Sequence, residues 1–180
     1  TTMGPRSQAQ PRGRAEPVEA EMPLGRYLAS TEKRVRDRAI RSLAAFVLMR
    51  AQEGGLSMSP AELSKLWKGL FYCFWMSDKP LVQQQLAQEL SELVLMVAGI
   101  DTRSDEAQVA SLRHALAALD FYQGFWHTMQ AEWLGVDKFR IDKYYLLMRR
   151  FLQAGCQLLL VYGCDALLVE RYVHIMRGTD

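Results

Sequence analysis

The sequence has few cysteines and no long apolar run, and each of these absences excludes a class of protein. Cys73, Cys156 and Cys164 form no CxxC pair and are odd in number, which argues against a disulfide framework and favours a reducing compartment. The longest uncharged stretch, residues 151–164, contains two glutamines and is too short to span a bilayer. Near the amino end no apolar run has the form of a secretory signal, so we expect neither export nor a membrane partner.

Motifs of catalysis and metal binding are also absent. No HExxH, GxxxxGK[ST], GxGxxG or GxSxG pattern occurs. His114, His127 and His174 have no cysteine or second histidine at the spacing of metal ligands. Cys73 stands among aromatic residues, which is typical of a small core residue rather than a nucleophile. We therefore expect no enzyme, no cofactor, no metal and no small-molecule substrate.

Composition divides the chain into a tail and one domain. Residues 1–23 hold four of the six prolines and no aromatic residue, so they cannot bury enough apolar area to offset the entropy of ordering. We predict a disordered tail over 1–23 and one all-helical domain over 24–180.

Apolar residues recur at helical spacing from residue 24 onward, which predicts six helices. They cover about residues 31–52, 60–76, 79–99, 106–133, 138–162 and 165–177. Glu53, Gly54 and Gly55 end the first helix, and residues 101–105 form a loop before the fourth, in which Gly124 is a candidate for a bend. Ser59, Pro60 and Glu62 form a capping signal for the second helix. Asp78 is predicted to cap the third, with Pro80 in its first turn.

The loops between these helices are short, which favours antiparallel packing of helices that follow one another. The fold class is all-α. Two architectures remain open: helical hairpins stacked as a short, HEAT-like α-solenoid, and an irregular helical bundle.

Charge is unevenly distributed although the net charge is only +2. Segments 24–53 and 136–155 carry +4 and +3, and the segments between them are neutral to acidic. In the first predicted helix Arg34, Arg38 and Arg41 share one line. In the fifth, Lys143 is predicted to point away from an apolar stripe made by Ile141, Tyr144, Tyr145, Met148, Phe151 and Leu152. Such rows are either solvated faces or phosphate contacts.

Three stretches, in this order and spacing, resemble the nucleolar ribosomal RNA processing protein 1 family. They are VRDRAIR at 35–41, LWKGLFYCFWMSDKP at 66–80 and, within 125–149, FWHTM, EWLGVD and RIDKYYLLMR. The second stretch is the most specific, because so aromatic a run ending in a charged proline turn is rare. The resemblance covers about residues 24–155.

This resemblance implies a non-enzymatic nucleolar assembly factor that acts in processing of precursor rRNA and in biogenesis of the large (60S) ribosomal subunit. Its implied partners are the large-subunit precursor rRNA, other pre-60S assembly factors and ribosomal proteins. The alternative is a helical adaptor that binds only protein. Family members extend further than this chain, so the resemblance also implies a chain cut at its carboxyl end or a short member.

A scaffold with two basic segments could hold folded RNA by its backbone without reading its sequence. The candidate contact residues for RNA or a partner are Arg36, Arg38, Arg41, Lys68, Lys79, Arg140, Lys143 and Arg149. The aromatic residues Trp67, Phe71, Trp75, Trp126 and Trp133 are predicted to be core or protein-docking surface rather than base-stacking platforms.

Overall fold

The computed structural model describes residues 24–52, 58–100 and 111–178. Its α-helices are α1 (Leu24–Leu28), α2 (Lys33–Gln52), α3 (Pro60–Trp75), α4 (Pro80–Val97), α5 (Leu112–Glu132), α6 (Ile141–Val161) and α7 (Ala166–Arg177), and a 3-10 turn at Trp133–Gly135 follows α5. No strand occurs in these three ranges, which confirms the all-α class. None of their helices is both long and apolar enough to cross a bilayer. The predicted tail, the stop at 53–55 and the loop at 101–105 lie outside the described residues.

Local signals place the helix starts. Ser59 Oγ accepts a hydrogen bond from the Glu62 amide at 3.3 Å, and a Glu62 carboxylate oxygen accepts from the Ser59 amide at 2.8 Å. These bonds complete the predicted capping box. The Ser59 hydroxyl also donates to Glu62 Oε2 at 2.7 Å, and this bond, together with the one from the Ser59 amide, lowers the pKa of Glu62. Pro80 opens α4 as predicted, but Asp78 does not cap it. The N-cap is Lys79, which makes no capping side-chain bond.

Two further features differ from the prediction. The short helix α1 precedes α2 and was not anticipated, because five residues carry too little periodicity to be recognised. Helix α5 runs unbroken through Gly124, where a Cβ atom would lie 2.5 Å from Cδ1 of Trp67. The glycine is therefore needed for close packing of α5 on α3 rather than for a bend.

The helices pack as two rows. The three most extensive contacts join helices that are two apart in chain order: α4 with α6, α1 with α3, and α3 with α5. Among consecutive helices, α1 packs closely on α2 and α4 on α5, whereas α3 and α4, or α5 and α6, touch each other much less. One row is α2, α4 and α6, and the other is α1, α3, α5 and α7. Contacts between helices two apart are typical of stacked hairpins, and the contacts of α1 with α2 and of α4 with α5 join the two rows. The arrangement is consistent with both predicted architectures, a short solenoid and a helical bundle.

Aromatic rings fill the space between the rows. Trp67 is 2% exposed, packs on Phe121 and Phe151 at centroid distances of 4.7 and 5.4 Å, and donates from Nε1 to the Phe121 carbonyl at 2.9 Å. The hydroxyl of buried Tyr144 donates to the Phe71 carbonyl at 3.0 Å. Trp67 and Phe71 therefore belong to the core, as predicted. Trp75, Trp126 and Trp133 are half-buried against it.

Candidate nucleic-acid interface

The carboxyl end of α3 is bound by a lysine from α6. A helix end leaves backbone carbonyls without partners and carries partial negative charge. Lys143 Nζ donates to the carbonyls of Trp75 at 2.6 Å and Ser77 at 2.9 Å, and lies 3.8 Å from a carboxylate oxygen of Asp78. The lysine is only 6% exposed. It therefore acts as a C-terminal cap for α3, supplied by a distant helix.

An arginine from α2 binds the same turn from another side. Arg36 Nη1 donates to the carbonyls of Ser30 and Thr31 at 2.8 and 3.0 Å, and its Nη2 donates to the carbonyl of Met76 at 3.4 Å. The residue is 7% exposed. Its guanidinium thus ties the turn before α2 to the turn after α3.

Burial shifts the pKa values of two residues near the carboxyl end of α3, Lys143 and Cys73. Burial lowers the pKa of Lys143 to about 8, although the nearby Asp78 carboxylate opposes the shift. Burial also raises the pKa of the Cys73 thiol to about 11. Cys73 is 1% exposed, so it is a core residue as predicted and carries little thiolate at neutral pH.

These positions correct the predicted contact set. Arg36 and Lys143 were both candidates for RNA contact, but each is buried and directs its donors at backbone carbonyls. A signal for Arg36 was present in the sequence, because Arg36 shares a helix face with the buried residues Ile40, Leu43 and Val47.

For Lys143 the predicted face of the helix was wrong. The buried face of α6 is rotated by about a quarter turn from the predicted stripe. The rotation leaves Tyr145 43% exposed and turns Lys143 inward. The residues on the buried face are Tyr144, Leu147, Phe151, Ala154 and Leu158.

Three turns of the chain gather beside these buried cations. We call them the turn edge: Ser30–Glu32, Met76–Lys79 and Trp133–Arg140. Arg140 joins the third turn to the carboxyl end of α3, because its guanidinium lies 4.5 Å from the Trp75 ring centroid while it pairs with Asp137. The candidate Arg140 is thus largely engaged within the protein.

The turn edge also carries exposed residues. The candidate Lys79 is one of them, together with Lys138 and Phe139. Sequence reasoning missed Phe139, for which the only available signal was its position among charged neighbours.

A row of exposed arginines lies on α2. Arg34, Arg38 and Arg41 fall on one face of the helix and are all exposed, and we call them the α2 basic face. None of the three has an ion-pair partner among the described residues, whereas neighbouring Lys33 pairs with Asp37 at 2.5 Å. Their guanidinium groups are therefore available to an external anion, unlike that of Arg36 on the same helix.

The remaining candidates stand apart from this face. Lys68 on α3 pairs with Glu132 at 3.1 Å, and the bond to that carboxylate raises the pKa of Lys68. Arg149 is exposed on α6 and has no ion pair among the described residues. The structure thus brings Arg36, Arg140 and Lys143 together around one turn and leaves the other predicted contacts distributed over α2, α3 and α6.

The described part of the surface includes two grooves with polar linings. One of about 310 Å³ lies between α2 and α4 and is lined by Arg41, Gln85 and Glu89 among others. The second, of about 780 Å³, lies between α3 and α5, where Met58, Pro60 and Leu63 form an apolar wall. Its polar residues include two pairs of opposite charge, Lys68 with Glu132 and Arg171 with Asp120. Within the described ranges, no three His, Cys, Asp or Glu side chains are grouped so that they could hold a metal ion.

Comparison with known proteins identifies relatives along nearly the whole chain. A family described as "Nucleolar protein, Nop52" matches residues 19–179. Human ribosomal RNA processing protein 1 homolog A is 36% identical over 156 residues, which cover 87% of this chain and 31% of that protein. Mouse homolog B is 42% identical over 78% of this chain and 17% of its own length. A Drosophila melanogaster homolog is 32% identical over 76% of this chain and 18% of its own. The chain thus spans less than a third of these relatives.

Proposed function

We propose that this chain, which belongs to the Nop52 family of nucleolar proteins, is a non-enzymatic assembly factor. Its membership of the family confirms the resemblance and the nucleolar localisation predicted from the sequence. In this proposal it acts in maturation of the large-subunit precursor rRNA, and it contacts that RNA through the α2 basic face. The relatives are named for ribosomal RNA processing, which supports the class of substrate. The contact surface and the subunit are our own inference.

One observation carries the proposal: three exposed arginines on one helix face lack partners within the described part of the chain. Arginine forks match the geometry of phosphate oxygens, and each contact releases a counterion from the RNA. The side chains stand on a helix that packs on α4 and is tied to α3 through Arg36, so their spacing is held by the fold. A surface of this kind grips the RNA backbone and does not read bases.

The test is charge reversal on this face. We expect Arg34→Glu, Arg38→Glu and Arg41→Glu together to weaken binding of a transcribed large-subunit precursor fragment about tenfold or more at physiological salt. The plot of log affinity against log salt should also become shallower by about 2, since fewer phosphates are contacted. Lys143 is kept out of the variant because its loss would destabilise the fold. Binding is measured by filter retention over a range of salt concentrations, and folding by circular dichroism.

A matched control reverses three exposed cations on other helices. Lys65, Arg113 and Arg177 lie on α3, α5 and α7, and their replacement by glutamate changes the net charge by the same amount. A smaller loss with this control supports a defined surface. Equal losses would mean that only net charge matters, and unchanged binding by the first variant would exclude the α2 basic face.

The groove between α3 and α5 favours a second candidate, an adaptor that binds only protein. It combines an apolar wall with paired charges of both signs, a lining that suits a protein segment better than a polyanion. The adaptor function is supported if the wild-type domain does not bind precursor RNA and the Leu63→Glu variant no longer enters precursor particles. It fails if Leu63→Glu enters particles normally.

A further inference from the structure

One aromatic ring projects into solvent at the turn edge. Phe139 is 84% exposed, whereas the next most exposed aromatic side chain among the described residues, that of Tyr145, is 43% exposed. Leu134 in the same loop is 97% exposed. Burial of a phenyl ring is worth several times the thermal energy, so a ring left in water at a rigid position is a candidate for a binding contact.

The backbone beneath the ring is held in place. A carboxylate oxygen of Asp137 accepts hydrogen bonds from the amides of Phe139 and Arg140 at 2.9 and 3.1 Å. Arg140 pairs with the same carboxylate and lies against the Trp75 ring. The loop is thus anchored to the carboxyl end of α3, and little ordering of its backbone is left to be done when a ligand binds.

The neighbours of the ring indicate the chemistry of the ligand. The Lys138 amine lies 5.1 Å from the centroid of the Phe139 ring, which places a cation next to an exposed aromatic face. Proteins that bind single-stranded nucleic acid combine these two groups, the ring for a base and the cation for the backbone. A protein partner is less favoured, because Asp137, Lys138, Arg140 and Asp142 surround Phe139 in the sequence and charged residues are depleted at the centres of protein interfaces.

We propose that Phe139 stacks on an unpaired base of bound RNA while Lys138 contacts a phosphate beside that base. This proposal rests on the proposed function, because it requires an RNA ligand. It adds recognition of a local RNA structure, a bulge or loop, to the backbone contacts proposed for the α2 basic face. The α2 basic face would supply affinity, and Phe139 would select where a base is free.

The test uses a short RNA hairpin that carries a single bulged 2-aminopurine, whose fluorescence is quenched by stacking. Wild-type protein should quench the bulged base. Phe139→Leu, which keeps an apolar side chain but removes the ring, should abolish the quenching and weaken binding of the bulged hairpin about tenfold. The same variant should bind a fully paired hairpin as the wild type does. Leu134→Ala is the matched control for an exposed apolar residue of the same loop and should behave as wild type on both RNAs.

Several outcomes would overturn the proposal. Retained quenching by Phe139→Leu would show that the ring is not the stacking partner. If Phe139→Ala and Leu134→Ala both reduced entry into precursor particles and left RNA binding unchanged, the loop would be a protein contact instead.

The α2 charge reversal separates this proposal from the previous one. If that variant binds RNA normally while Phe139→Leu loses quenching, the α2 basic face fails and stacking stands. If the charge reversal weakens binding while Phe139→Leu still quenches the bulged base, the α2 basic face stands and stacking by Phe139 fails. If the wild type does not bind RNA at all, both fail.

Discussion

Arg36 and Arg38 are two residues apart on the same helix and are used in opposite ways. Arg36 is 7% exposed and donates to carbonyls of two turns, whereas Arg38 is exposed and has no ion-pair partner among the described residues. The same contrast separates Lys143 from Arg149 on α6. Among these four residues, the two buried cations connect parts of the turn edge and the two exposed ones have no ion pair among the described residues, and the helix face decides which.

The largest expected effect tests whether the buried cations are connectors. Lys143→Met removes the donor for the carbonyls of Trp75 and Ser77, and Arg36→Met removes the donor for three others. Each substitution should lower the free energy of unfolding by about 2–4 kcal/mol, because buried and partly buried carbonyls lose charged donors. Urea denaturation followed by circular dichroism measures the change.

Arg38→Met and Arg149→Met are the controls for these two substitutions, since each removes a cation from the same helix. We expect their urea midpoints to equal that of the wild type. If the exposed and the buried substitutions lower the free energy of unfolding equally, the distinction between buried connectors and exposed contacts is wrong.

A smaller effect should appear in the pH dependence of stability. The folded pKa of Lys143 is about 8, below its ordinary value of 10.5, so between these values the unfolded chain binds more protons than the folded one. The contribution of Lys143 to the free energy of unfolding therefore rises as the pH increases from about 8 to 10.5. The difference in unfolding free energy between wild type and Lys143→Met should grow by about 1–3 kcal/mol between pH 7 and pH 10. Urea titrations at a series of pH values measure it, and a constant difference would contradict it.

The smallest effect concerns Lys68, which belongs to neither group. Its pairing with Glu132 is a surface ion pair between side chains that are 59% and 23% exposed, and such pairs contribute little. Lys68→Ala should leave both the urea midpoint and the affinity for precursor RNA unchanged within error. A clear loss of RNA affinity would extend the contact surface from α2 to α3.

Local structure was largely predictable from the sequence. The capping box at Ser59 and the proline at position 80 are decided by residues three or fewer apart, and both helix starts were confirmed. Asp78 shows the limit of such reasoning. It has the position of a cap, but its carboxylate lies near Lys143, a residue that only the folded chain brings within reach.

The buried cations could be predicted only in part. Arg36 continues the line of Ile40, Leu43 and Val47, so periodicity alone would have placed it inside. Lys143 could not be placed in this way, because its acceptors are carbonyls at the end of α3 and exist as a site only after α3 and α6 have packed. Sequence patterns assign charged residues to solvent by default, and this default fails where a helix end needs a donor.

The binding of Arg36 and Lys143 to the turn after α3 has a consequence for how the protein unfolds. In most stacked helical repeats each unit contacts only its neighbours, so one end can unravel while the other persists. Here residues 36 and 143, from opposite halves of the chain, satisfy carbonyls of a single turn. Detaching α6 would leave the carbonyls of Trp75 and Ser77 without their charged donor. We therefore expect α2 to α6 to unfold as one cooperative unit and not repeat by repeat.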